Sequence, residues 1–138
     1  MILDAKNTFM DNLDVKATRQ AGTTIDLGAD GPFRDALAGA ELTLRIQVTA
    51  AFTRAAGAIG STFSLQTHTA DDFSADRTVL WQSASLAKAT LIAGYIVARV
   101  RVPVGCLRYL SVVVVNANAA DAANADAFLI RDDQNNTL

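Results

Sequence analysis

One cysteine, one histidine, one tryptophan and two prolines in 138 residues leave several chemistries without their raw material. The lone Cys106 can form neither an intramolecular disulfide nor a thiolate metal cage, so the fold must rest on its apolar core. At the start of an apolar run Cys106 itself reads as packing. A single His68, flanked by Thr67 and Thr69, excludes a multi-histidine metal centre and reads as a surface residue. The paired acids Asp71-Asp72 and Asp132-Asp133 do not replace it, because adjacent side chains on extended backbone point to opposite faces; they read as turn formers. There is also no glycine-rich phosphate cradle, no nucleophile elbow and no Cys-His pair with an orienting acid. The expectation is a protein that is not an enzyme and has no metal or cofactor.

Long hydrophobic runs are missing as well. The longest candidate, Leu110 to Val115, is closed by Arg108 on one side and Asn116 on the other, far short of the roughly 20 apolar residues that a membrane helix needs. No membrane partner is expected. The first residues, MILDAKNTFMDNLD, carry Asp4, Asp11 and Asp14 and no uninterrupted apolar stretch, which argues against a secretory signal and for synthesis in the cytoplasm. Twelve basic and fourteen acidic residues are interspersed, giving a formal charge of -2. Nucleic acid, which requires a clustered basic face, is not an expected partner. Arg99 and Arg101 alternate with Ala98, Val100 and Val102 and read as the solvent side of a strand.

What is present is strand pattern. Residues 41–52, ELTLRIQVTAAF, place Leu42, Leu44, Ile46 and Val48 on one face and Glu41, Thr43, Arg45 and Gln47 on the other. Residues 61–69 repeat the alternation with Phe63 and Leu65 inward and Ser64, Gln66 and His68 outward, after a turn on Gly57 and Gly60; the two segments are expected to pair as a hairpin. Residues 78–85 give a strand with Val79 and Trp81 on a shared face, and residues 94–102 another with Ile96, Val100 and Val102 inward. Pro103 and Gly105 turn the chain into the valine strand, whose two faces are both apolar and which therefore needs cover on both sides. NANAADAANADA reads as a loop or a single helical turn, followed by a short closing strand at 127–132. TTIDLG, residues 23–28, is a compact strand stopped by Gly28, and Gly31 to Phe33 supplies a further turn. Seven or eight short strands without βαβ alternation predict an all-β, single-domain antiparallel sandwich or jelly roll.

The N-terminal stretch fits no period. Ile2, Leu3, Phe9, Met10 and Leu13 are spaced neither for a helix nor for a strand, so residues 1–20 read as an arm and residues 21–138 as the sandwich. The arm packs either on its own body or on a neighbour, and these five residues are the candidate contacts to another surface.

The order of the pieces is informative beyond their physics. ILDAKNTF, TTIDLG, a strand leading into AAFTRAAG, FSLQTHTADDF, an RYL strand and a closing AFLIRDDQ resemble the phage capsid cement proteins typified by the Bordetella phage cement protein. The resemblance implies a jelly-roll-like sandwich on the outer surface of an icosahedral phage head. It would straddle neighbouring major capsid protein subunits as a small homo-oligomer, with a dimer favoured. Two other readings compete: a carbohydrate-binding jelly roll, and a structural protein of the tail or fibre. Sugar-binding modules present exposed aromatics, whereas Trp81 shares the apolar face of its strand and is expected in the core.

Overall fold

A computed structural model describes residues 8–26, 42–69, 77–102 and 107–131. The described residues form nine strands: β1 (Thr8–Asp14), β2 (Arg19–Ala21), β3 (Ile25–Asp26), β4 (Leu42–Thr53), β5 (Ser61–His68), β6 (Thr78–Gln82), β7 (Ile96–Arg101), β8 (Tyr109–Asn116) and β9 (Ala122–Arg131). They assemble into a four-stranded sheet of order β1-β9-β4-β7 and a five-stranded sheet of order β2-β8-β5-β6, with β3 also paired to β8. All pairings are antiparallel, and four of them are nested: β1 with β9, β2 with β8, β4 with β7, β5 with β6. A long ribbon folded over on itself in this way is a jelly roll. The class expected from the strand pattern is the class observed.

The core lies between the sheets. Leu44, Ile46 and Val48 from β4 meet Phe63 and Leu65 from β5 and Leu110, Val112 and Val114 from β8, all inaccessible to solvent. Phe52 and Phe63 meet with ring centroids 6.0 Å apart and planes inclined at 44°, within the range where tilted aromatic pairs attract. One long edge of the sandwich is closed where Thr23 N–H donates to Phe9 O at 2.7 Å. Gly22 is required at that crossing, since a Cβ there would stand 2.7 Å from Phe9 O. With β1 and β2 joined along this side, β7 and β6 form the opposite edge.

Several expectations are corrected. Residues 41–52 and 61–69 do not form a hairpin, because β4 hydrogen-bonds β9 and β7 whereas β5 hydrogen-bonds β8 and β6 in the other sheet. The connection between them crosses from one sheet to the other. The alanine-rich segment is a loop only over residues 117–121: β9 begins at Ala122, and Ala123, Ala125 and Ala127 alternate into the core. These small side chains belong to the same buried cluster as Phe9, Met10, Phe52 and Phe63. His68, Ser64 and Gln66 do lie on the face of β5 away from the core, yet all three are buried. Of the valine run, Val113 is buried on that same outer face and Val115 is exposed, so cover of the outer face stops before the end of the strand.

The sandwich also starts earlier than residue 21. β1 is hydrogen-bonded to β9 as an edge strand of the first sheet, which makes residues 8–20 part of the domain rather than an arm. Cys106, Pro103, Gly105, Gly28, Gly31, Phe33, the Asp71-Asp72 and Asp132-Asp133 pairs, Ile2 and Leu3 lie outside the described residues.

Candidate functional site

β1 shows what became of the proposed contact residues. Its pairing with β9 slips twice, once between Thr8 and Met10 and again between Met10 and Leu13. The first slip lets two successive side chains turn inward, and Phe9 and Met10 are 1% and 2% exposed. The second contains Asn12 at φ 47°, a left-handed conformation that asparagine tolerates better than most residues. It is pinned there: Asn12 N–H donates to Asp126 Oδ1 at 2.6 Å, Thr49 Oγ1 donates to Asn12 Oδ1 at 2.7 Å, and Asn124 Nδ2 donates to Asn12 O at 3.0 Å. Leu13 is half-buried against the core. Phe9 and Met10 are thus core residues of this chain and offer no contact to another; of the two options left by the sequence, packing on its own body is the one that these two residues take.

The surface instead presents other apolar groups. Ile92 is 58% exposed and Ile96 41%. They flank a turn in which Tyr95 N–H donates to Ile92 O at 3.0 Å with Gly94 at φ 90°, the positive φ that a type II turn demands at its third residue. Ile96 is outward because β7 carries a bulge. Ile46 lies opposite Ala98 but Gln47 lies opposite Ile96, so Val97 is the extra residue and packs against the core. The alternation that placed Ile96 inward with Val100 and Val102 is broken at this point. The same event in β6 separates Val79 from Trp81: Leu65 faces Trp81 while Gln66 faces Val79. Trp81 therefore packs half-buried against the core and Val79 is exposed.

Beside Ile96 on the outer face of the first sheet runs a line of cationic side chains. Arg45 of β4 is directly opposite Arg99 of β7, and Thr43 is opposite Arg101. Arg45 Nη2 reaches Gln47 Oε1 at 3.4 Å, its guanidinium stands 6.0 Å from the centroid of the buried Phe128 ring, and its Nε is buried without a hydrogen-bond partner. Among the described residues no ion pair joins Arg45 or Arg99 to an acid. Gln47 Nε2 donates to Gly94 O at 3.4 Å, which ties this strip to the Ile92–Tyr95 turn. Arg99 and Arg101 are exposed as expected. Their register against Arg45 was not legible, since pairing partners are set by the fold rather than by local alternation.

The end of the sandwich carrying the β1-β2, β4-β5 and β8-β9 connections is knitted together by side chains. Asn116, buried at the end of β8, donates from Nδ2 to Val15 O and Ala17 O, each at 2.8 Å, and accepts from Ser61 Oγ at 2.6 Å. Arg54 donates to Ala56 O at 2.7 Å and Ala119 O at 3.1 Å, and Asp121 accepts from Ala55 N–H at 2.7 Å. A shallow cleft of about 430 Å³ lies here, lined by Arg54, Asp121, Asn118, Thr18 and several alanines. Its two charged groups are committed to backbone, and no pair of groups in it is arranged for proton transfer. Lys16 N–H, with a smaller contribution from the Lys16 ammonium at 3.3 Å, holds the Asp14 carboxyl below its ordinary value on the surface nearby.

At the opposite end Arg108 makes a bidentate contact with Asp26 at 3.0 and 3.1 Å and lies 5.0 Å from the Tyr109 ring centroid. Among the described residues no three acids, cysteines or histidines cluster to hold a metal, and no helix is long and apolar enough to cross a membrane.

Compared with known proteins, residues 9–130 match the family model described as Bbp16, a name that suggests a Bordetella phage protein. No curated protein matches the chain. The matched span reaches from β1 into β9 and takes in part or all of every strand. It covers the sandwich as a whole rather than one motif, and on that ground the chain belongs to the Bbp16 family.

Proposed function

We propose that the protein is a structural component of a phage virion that binds the outside of an icosahedral head and bridges neighbouring major capsid protein subunits. It acts as a small oligomer, most simply a dimer, without catalysis and without a cofactor. The observation that carries this reading is the match of the whole sandwich to a phage-associated family. The exposed Ile92, Ile96 and arginine strip support it by supplying a surface suited to docking.

The mechanism is thermodynamic. A protein that binds the assembled shell but not its separate subunits stabilises the shell by mass action, on the order of 2.7 kcal/mol per site when free protein is at about 100 times its dissociation constant. An oligomer with two such contacts holds on more firmly still, because the second contact forms at high effective concentration.

The test is co-sedimentation of the purified protein with cognate shells prepared without it, beside shells of an unrelated phage. Saturable binding to the cognate shell alone supports the proposal and gives a stoichiometry that points to a symmetry axis. Absence of binding to both sinks it and favours a tail component or a sugar-binding module. The latter has less support, since Trp81 packs against the core.

A further inference from the structure

We infer that the outer face of β4 and β7 docks a carboxylate-bearing surface of the shell protein, with Arg99 and Arg45 as the charged contacts and Ile96 as the apolar one. This rests on the cement reading above and specifies the chemistry of its partner.

Three observations converge. Like charges directly opposite one another on neighbouring strands destabilise a sheet, yet Arg45 and Arg99 are cross-strand partners and no described acid pairs with either. Among the described residues, Asp126 of β9, opposite Gln47, accepts from the Asn12 backbone N–H. An acidic group supplied from outside would relieve the repulsion between the two cross-strand guanidinium groups; Arg is well suited to this, since a guanidinium can hold a carboxylate through two parallel hydrogen bonds.

The apolar component comes from the bulge at Val97. It rotates Ile96 onto the same face, next to Gln47 and a few residues from Arg99 along β7. The bulge has a second effect. β7 is the edge of its sheet, and a bulged edge is a poor template for an added strand. Docking through side chains on the face, rather than by extension of the sheet, is what remains. An exposed isoleucine flanked by arginines, with the partner bringing carboxylates, is complementary in both polarity and charge.

Arg99→Glu separates the possibilities. It puts an acid opposite Arg45, so the free protein should melt at the same temperature as the unaltered protein or higher, while binding to cognate shells falls about tenfold or more at physiological salt. Arg99→Lys should retain most of the binding, and raising salt should weaken the unaltered protein more than Arg99→Glu. Undiminished shell binding by Arg99→Glu, with the unaltered protein also bound, overturns this inference and leaves the cement reading standing. Failure of the unaltered protein to bind any cognate shell overturns the reading on which it rests. Loss of affinity for duplex DNA by Arg99→Glu with shell binding unchanged also overturns it, by assigning the strip to phosphate instead.

Discussion

Asn116 illustrates how much a single polar side chain can hold. Its amide satisfies two backbone carbonyls in the β1-β2 connection and its oxygen accepts from Ser61, so one buried group joins three segments distant in sequence. Replacement by alanine strands those partners away from water. At about 1–3 kcal/mol for each unsatisfied group, with partial rescue by water, Asn116→Ala should cost about 2–4 kcal/mol in urea unfolding. Asp14 makes a smaller, pH-dependent contribution. Its carboxyl is held below its ordinary value chiefly by Lys16 N–H, so the folded state favours the ionised form more than the unfolded state does. That stabilisation is complete above the unfolded value of about 4 and is lost as pH falls through the lower folded value. The Asp14→Asn variant should therefore be less stable than the parent at neutral pH and indistinguishable from it in strong acid, and salt should shrink the neutral-pH difference.

At the scale of strands, the bulges explain both what could be read from the sequence and what could not. β4, β5 and β8 are interior strands with strong alternation or a valine run, and their positions were legible. β1, β6 and β7 are edge strands, and each carries a register shift that breaks the two-residue period. Phe9 and Met10, Val79 and Ile96 depart from simple alternation for this reason, whereas Trp81 packs against the core as its pattern predicts. The second half of β9 was legible in the closing strand at 127–132, but its first half was not: alanine has little intrinsic preference for strands, and only the sheet on either side makes Ala123, Ala125 and Ala127 a core row. Of the candidate site, the exposure of Arg99 was legible, whereas its position opposite Arg45 depends on a pairing that no local pattern encodes. The role of β1 has a direct test. Truncation through residue 13 removes nearly all of an edge strand together with two of the largest fully buried side chains, each of them worth about 2–5 kcal/mol when cut to alanine. The shortened chain should lose its cooperative thermal transition, and a sharp transition at the parent's melting temperature would refute the assignment of these residues to the core.

For the molecule as a whole, nesting is the governing property. The pairing of β1 with β9 brings Asp14 beside Asn124, and β2 with β8 brings Arg19 beside Val115, so most of the chain must be enclosed before these contacts form. Loop closure over such separations is costly and is repaid late. Refolding from urea should accordingly occupy milliseconds to seconds or longer, and a microsecond relaxation by stopped-flow or temperature-jump fluorescence of Trp81 would contradict the topology. The same pairing fixes how the molecule answers to force. Because β1 and β9 run antiparallel, the start of the first and the close of the second lie together, with Thr8 opposite Phe128. Tension applied between those two points peels the ladder apart one rung at a time, since its hydrogen bonds lie across the strands; tension spread over the sheet faces must displace many rungs at once. The sandwich is mechanically soft when tugged by the ends of its ribbon and stiff when gripped by its sides.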